Sequence, residues 1–136
     1  MASIEQGVRS ILVADSGVTA LISTRVFPWL RQQGTPLPAV VYTLDNTEPQ
    51  QSLGGYDGLT RASLTVNSIA ERYGDAKALA SAVLSALNGY TGTPTDGHPI
   101  KSLVHDNDTG IVEDSAIGND RGVSIIESEY IIWYTS

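Results

Sequence analysis

Histidines and carboxylates are concentrated in one short stretch of the sequence, between His98 and Asp114. The other members of this group are His105, Asp106, Asp108 and Glu113. Imidazole nitrogens and carboxylate oxygens can bind divalent metal ions, so the composition is compatible with the site of a small metal-dependent hydrolase. We keep this enzyme as an alternative hypothesis, which metal analysis of the purified protein would test.

The spacing within this stretch does not fit a known type of metal loop. Asp106–Gly110 reads Asp-Asn-Asp-Thr-Gly, like the start of an EF-hand calcium loop, but the glycine comes one place early. The twelfth position is Ile117, where a calcium loop needs a bidentate acid. Charged runs of this kind are usually solvated surface. The sequence therefore predicts no metal ligand, no cofactor and no catalytic role for this group.

Other catalytic motifs are missing from the sequence. It contains no Gly-x-Ser-x-Gly nucleophile elbow and no Gly-x-x-x-x-Gly-Lys phosphate loop. The glycine-rich run from Leu53 to Gly58 carries no lysine and does not open a helix. The absence of cysteine excludes disulfides and zinc-thiolate sites. We expect a protein that is not an enzyme.

Length and charge limit the possible partners. The 136 residues, of which 41% are hydrophobic, predict a single domain spanning residues 1–136 with a substantial core. Eight basic against 15 acidic residues give a net charge of −7, which argues against specific binding to nucleic acid. No apolar run is long enough for a signal peptide or a membrane span, so we expect a soluble, unprocessed chain without membrane contact.

The segment from Leu59 to Tyr90 predicts a strand followed by a helix. Ala62, Leu64 and Val66 alternate with polar residues, which is typical of a strand with one buried face. After a short link at 73–75, a helical stripe follows, formed by Ala76, Leu79, Ala80, Val83, Leu84 and Leu87. Asn88-Gly89 then ends the helix. We expect the helix to pack on the apolar face of the strand.

The remaining elements are predicted from the same kinds of pattern. Ser3 and Gln6 form a capping box for a first helix, and 18–22 adds a turn or two before an extended segment at 25–27. The other predicted segments are a loop at 28–38, strands at 39–46, 100–106 and 123–134, and a loop at 47–58 that is either a mobile hairpin tip or a functional projection. Residues 107–122 give no clear pattern.

These elements predict an α+β fold, a two-layer sandwich in which two helices cover one face of a mainly antiparallel four-stranded sheet. The last strand has large apolar groups on both faces. Its even positions from Ile126 to Tyr134 share one face, and the other face carries Ile125, Glu127, Glu129, Ile131 and Trp133. One helical layer cannot cover both. Either the loop at 28–38, with Trp29 and Leu30, folds over the second face, or Ile125, Ile131 and Trp133 meet another subunit.

The order and spacing of many segments resemble the tail completion or tail terminator proteins of long-tailed bacteriophages. The resemblance extends from about Ile4 to Tyr134, and no single motif in it is diagnostic. The matching segments are the first helix ending at Asp15, VTALI at 18–22, RVFP at 25–28, PLPAVVY at 36–42, RASLTVN at 61–67, YGDAKAL at 73–79, LNGY at 87–90 and the aromatic-rich last strand.

The resemblance implies a structural virion protein without catalytic residues or cofactors. Members of this family assemble in the host cytoplasm into a homo-oligomeric ring, a hexamer, at the head-proximal end of the tail. The ring caps the tail tube protein, stops tube polymerisation and provides a docking surface for the head–tail connector protein, while DNA passes through it. On this basis we expect the loop at 47–58 to contact tail or connector through Gln50, Gln51, Leu53 and Tyr56.

Overall fold

The computed structural model describes residues 4–23, 25–28, 38–52, 55–94, 97–113 and 123–135. In chain order its elements are helix α1 (Ile4–Ala14), helix α2 (Ser16–Ile22), strand β1 (Val26–Pro28), strand β2 (Ala39–Ser52), strand β3 (Gly55–Ala70), helix α3 (Tyr73–Leu87), strand β4 (Ile100–Glu113) and strand β5 (Val123–Thr135). None of the helices in these ranges is long and apolar enough to cross a membrane.

The strands form one sheet in the order β1-β2-β3-β5-β4. β1 pairs with β2 in parallel, and the three other pairings are antiparallel. The predicted α+β class agrees with this architecture, but the predicted count of four strands and two helices is wrong. The fifth strand, β1, has only three residues, too few for a hydrophobic period to be visible. The additional helix is α2, which the sequence indicated only as a turn or two.

The helices pack on one face of the sheet and enclose the core. α3 lies against β3, β4 and β5, and α1 lies against β1. Each central strand contributes alternate residues to this core, as expected for a sheet with one covered face. Its largest fully buried side chains include Tyr130, Leu12, Ile22, Leu64, Leu79, Leu87, Leu103 and Ile132.

The helix boundaries follow from local capping. Asp15 separates α1 from α2, because its carboxylate Oδ1 accepts the backbone N–H of Val18 at 3.0 Å and so caps α2. The other predicted cap residue, Ser3, lies outside the described residues. At the end of α3, the Asn88 N–H donates to the carbonyl of Leu84 at 2.8 Å, and Gly89 takes a positive φ of 82°. The predicted stop at Asn88-Gly89 is therefore confirmed.

The predicted start of α3 and one member of its predicted stripe need correction. The proposed link at 73–75 is the first turn of the helix, which begins at Tyr73. Of the predicted stripe, five members are buried, while Leu84 is only partly buried and packs at the margin of the core.

The prediction of a loop at 47–58 is also wrong, because most of this segment forms strands. β2 extends to Ser52 and β3 begins at Gly55, so only Leu53 and Gly54 lie outside the described residues. The strand predicted at 100–106 continues to Glu113, and Asp114 to Gly122 lie outside the described residues. In both cases pairing with a long neighbouring strand satisfies the backbone of a polar segment, which outweighs its low strand propensity. Register shifts at Leu44/Asn46 and Pro49/Gln51 accompany the extension of β2.

Candidate functional site

The histidine and carboxylate group predicted from the sequence is spread along β4 and the segment before it. His105 Nε2 lies 2.8 Å from Asp108 Oδ1. His98 instead stacks on Tyr134, with ring centroids 6.1 Å apart. In the described ranges no three histidine, cysteine or acidic side chains are grouped in a way that could hold a metal ion. Asp114 lies outside the described residues. The described part of this group therefore provides no metal site for the alternative hydrolase.

Asp108 also interacts with Ser128, but the arrangement differs from a nucleophilic triad. Burial raises the pKa of Asp108, and hydrogen bonds with Ser128 and His105 more than offset this effect, so the pKa lies below its ordinary value. A triad needs the histidine between serine and acid, so that the imidazole can take the hydroxyl proton. Here the acid lies between the other two, and Ser128 is buried. The interaction of Asp108 with Ser128 joins β4, the edge strand, to β5.

His105 also covers one end of the core. Its ring makes an edge contact with Tyr130 at a centroid distance of 5.3 Å. Burial, followed by the charge of Asp108, raises the pKa of Tyr130 far above its usual value, so the phenol stays neutral. The Tyr130 hydroxyl has no hydrogen-bond partner among the described residues. These rings therefore have a packing role.

A groove between α1, α3 and the segment after α3 has a cavity volume of about 350 Å³. It is lined by Ser10, Ile11, Ala14, Asp15, Ala86, Tyr90, Thr93 and Pro94. Its one carboxylate, Asp15, already accepts the capping hydrogen bond from Val18. The described lining offers no pair of groups for acid–base or nucleophilic chemistry.

The face of the sheet opposite the helices, which we call the open face, carries the residues that the sequence assigned to a subunit contact. On β5, Ile126, Ser128, Tyr130 and Ile132 are buried beneath the helices. Ile125, Ile131 and Trp133 alternate with them and keep partial exposure on the open face. The predicted division of β5 into two apolar faces is confirmed. Trp29 and Leu30, the alternative cover for the open face, lie outside the described residues.

Val104 adds an exposed apolar group to this surface. It pairs with Ile131 across the β4–β5 ladder, and Trp133 pairs with Ser102 two rows further along, on the same face. The side chain of Val104 is 52% exposed. We call Val104, Ile131 and Trp133 the apolar strip. The sequence did not single out Val104, because the register shift between Ile100 and Ser102 breaks the two-residue period that would have shown its face.

Other parts of the open face carry polar side chains that are hydrogen-bonded across the strands. The amide of Asn107 donates to the Glu129 carboxylate at 3.4 Å across the β4–β5 pair. Asp45 accepts hydrogen bonds from Thr43, at 3.0 Å, and from Thr65. These cross-strand bonds hold polar side chains against the sheet. The open face thus combines the apolar strip and a second apolar group around Ile125 and Ile69 with an acidic, hydrogen-bonded surface.

The ends of β2 and β3 project beyond the rest of the sheet. Pairing of β3 with β5 stops at Leu59, which lies opposite Thr135. Beyond this row, among the residues that the structure describes, β2 and β3 pair with each other alone, at Gln51 with Tyr56 and Ser52 with Gly55. We call residues 49–52 and 55–58 the arm. Of the predicted contact residues, Gln50, Gln51 and Tyr56 belong to the arm strands, and Leu53 lies outside the described residues.

Comparison with solved structures gives a match over the whole fold. A chain in a structure described as "Virion of native gene transfer agent (GTA) particle" superimposes with a TM-score of 0.66. The match covers 97% of this chain and 94% of that chain at 19% sequence identity. At this identity the similarity shows a shared fold. No curated protein matches the sequence.

Comparison with protein families gives a match to the family described as "Tail completion protein gp17", over residues 6–119. The matched range contains helices α2 and α3, strands β1 to β4 and all of α1 except its first two residues. This match confirms the family resemblance predicted from the sequence. The chain belongs to the gp17 family of tail completion proteins, which are structural proteins of bacteriophage virions.

Proposed function

We propose that this protein forms a homo-oligomeric ring, a hexamer, that caps the head-proximal end of a phage tail tube. The ring stops polymerisation of the tube and gives the head–tail connector a docking surface, and it assembles in the host cytoplasm. The observation that supports this proposal is a tail completion fold whose sheet has one face packed by helices and a second face with partly exposed apolar residues. The net charge of −7 suits a ring through which DNA passes without binding.

We place the subunit contacts at Ile125, Ile131 and Trp133. A closed ring uses a head-to-tail interface, in which one patch of a subunit meets a different patch of the next. In the apolar strip, Ile131 and Trp133 lie beside the exposed Val104. Ile125 lies further along β5, between Ile69 of β3 and Ile111 of β4. Covering these side chains with another subunit would remove apolar area from water, which favours association.

Replacement of Trp133 by alanine tests this contact. Loss of a central aromatic side chain from an interface typically costs about 2 kcal/mol or more. We expect Trp133→Ala to weaken assembly strongly while the melting temperature of the folded subunit changes little. Trp133→Phe, which keeps an aromatic ring, should assemble nearly as well as the wild type. Light scattering and thermal melts on the same samples give both quantities.

The competing possibility is that Trp133 stabilises the subunit alone. Then Trp133→Ala would lower the free energy of unfolding by roughly 3 to 5 kcal/mol, as for a core aromatic residue. If this variant unfolded more easily but kept the subunit count of the wild type, the assignment of Trp133 to the interface would be wrong.

We propose the arm as the part that contacts the tail tube or the connector, through Gln50, Gln51, Leu53 and Tyr56. Its strands extend past the last row of the β3–β5 pairing, so they can reach a partner without moving the core. A two-stranded ribbon without further neighbours is only marginally stable by itself. We therefore expect the arm to be mobile in the free protein and ordered by its partner.

Hydrogen exchange tests the role of the arm. Amides of Gln51 and Tyr56 should exchange much faster than those of Leu64 and Val66 in the same pair of strands, and they should become protected when tube protein is added. Strong protection of the arm in the free protein would show that it is a rigid part of the subunit. Protection that did not change with tube or connector protein would remove the arm from the contact surface.

A further inference from the structure

Three large hydrophobic side chains are exposed among the described residues. They are Leu21 at 40%, Tyr73 at 51% and Val104 at 52%. Val104 belongs to the apolar strip on the open face. Leu21 and Tyr73 belong to the helical layer, and the proposed contacts on the open face do not explain why they are exposed.

Tyr73 lies over one lateral edge of the sheet. It is the first residue of α3, and its ring reaches across to β4, where a Cβ placed on Gly110 would lie 3.6 Å from Tyr73 Cε1. β4 is the last strand on this side of the sheet. We call Tyr73 together with residues 106–113 of β4 the β4 edge.

Leu21 directly precedes, along the chain, the opposite lateral edge of the sheet. It belongs to the last turn of α2, and the chain passes directly from there into β1, with the Arg25 N–H bonded to the carbonyl of Ile22 at 3.0 Å. β1 is the outermost strand on that side. We call Leu21 together with residues 25–28 the β1 edge.

The two edges are level with each other along the strand direction. One continuous row of paired residues joins the start of β1 to the strand glycine beneath Tyr73, and it runs through Val26, Val40, Ser68, Ile126 and Gly110. Copies of the subunit that are related by rotation about an axis parallel to the strands are not displaced along the strands. Such a rotation would therefore bring the β4 edge of one copy beside the β1 edge of the next.

The directions of β1 and β4 and the charges at their edges also favour a contact between the two edges. β1 runs parallel to β2, and three antiparallel steps then lead to β4, so β1 and β4 point in opposite directions. Their edges would meet in the antiparallel sense that strand pairing favours. The segment 16–28 carries one charge, that of Arg25, whereas Asp106 and Asp108 are exposed on the β4 edge. Arg25 and these two aspartates are opposite in sign, which favours their contact, while Lys77 adds one positive charge 5.9 Å from the ring centroid of Tyr73.

We propose that the β4 edge, with Tyr73, docks against the β1 edge, with Leu21, of a second copy of this chain. This inference rests on the proposed ring and names two complementary surfaces of its joint. This joint is a head-to-tail contact because it joins two different patches of the subunit, and contacts of this kind can close a ring.

Mixing two variants gives a direct test. Leu21→Glu and Tyr73→Glu should each raise the protein concentration needed for half-assembly on the order of thirty-fold, which corresponds to about 2 kcal/mol. Each variant retains one intact edge. An equimolar mixture should therefore give heterodimers by light scattering, whereas each variant alone stays monomeric. Ser81→Glu, at an exposed site in the middle of α3, is the matched control and should assemble like the wild type.

Cross-linking adds position to this test, because the chain has no cysteine of its own. A Leu21→Cys/Tyr73→Cys double variant should form disulfide-linked ladders under mild oxidation, and a Leu21→Cys/Ser81→Cys variant should not. If Leu21→Glu and Tyr73→Glu both assembled into rings as readily as the wild type, the docking of these two edges would be wrong. The proposed ring itself would not be affected. A wild type that stays monomeric, alone and with tube protein, would contradict the proposed function itself.

Discussion

The two faces of β5 differ in what covers them, although both carry isoleucine and an aromatic residue. Tyr130 and Ile132 lie beneath the helices and are fully buried. Ile131 and Trp133, their direct neighbours in sequence, keep partial exposure on the open face. Apolar residue type alone therefore does not separate folding from association in this strand. The cover supplied by the rest of the subunit makes the difference.

The residues on the two faces of β5 are constrained in different ways. On the helical face a change in volume leaves a cavity in a packed core. At the subunit contact that we propose on the open face, the same change removes area that the partner would bury, so its cost should appear in assembly. Substitutions at neighbouring positions of β5 can measure the two constraints in one strand.

The largest expected difference is between Ile132→Ala and Ile131→Ala. Ile132 is fully buried, so its truncation should lower the free energy of unfolding by about 2 to 5 kcal/mol. Ile131 is partly exposed, so its truncation should cost the isolated subunit about 1 kcal/mol or less, while weakening assembly. Urea unfolding at a concentration where the protein is monomeric measures the first quantity, and light scattering measures the second. Equal losses of stability in both variants would mean that the open face is packed within the subunit.

A smaller effect is expected from acid, at the helical-face edge where Asp108 meets His105 and Ser128. The pKa of Asp108 lies below its ordinary value of 3.8, because the hydrogen bonds with Ser128 and His105 outweigh the effect of burial. A carboxylate whose folded-state pKa is lowered stabilises the fold above its unfolded pKa, and this contribution disappears as the pH falls through the folded pKa. The side chain is 40% exposed, and screening by solvent keeps the effect small.

The measurement is the melting temperature of the wild type and of Asp108→Asn between about pH 6 and pH 2. The wild type should be slightly more stable at the upper end, and the two curves should converge at the acid end. A gap that widened towards pH 2 would contradict the assigned direction of the pKa shift.

Much of the fold could be predicted because its signals are local. The stripe of α3, its stop at Gly89 and the two-residue alternation in β5 each follow from the geometry of a single element. The division of β5 into a helical and an open face, and hence the candidate contacts Ile131 and Trp133, came from the same alternation.

What could not be predicted depends on partners distant in sequence. β1 has three residues and exists as a strand because Val40 to Tyr42 pair with it. The polar ends of β2, β3 and β4 become strands because long neighbours satisfy their backbones. The register shift near Lys101 hid Val104, and the exposure of Leu21 and Tyr73 depends on how the helices lie over the sheet.

We propose that the protein caps the tail tube as a ring of identical subunits. The most direct test of this proposal is the mass of the wild-type assembly by light scattering, alone and with purified tube protein, together with negative-stain images of the tube ends. A closed ring of six subunits at one end of each tube, with tubes that no longer lengthen, is the predicted result. Tubes that keep growing in the presence of excess protein, with only monomers in solution, would contradict the account.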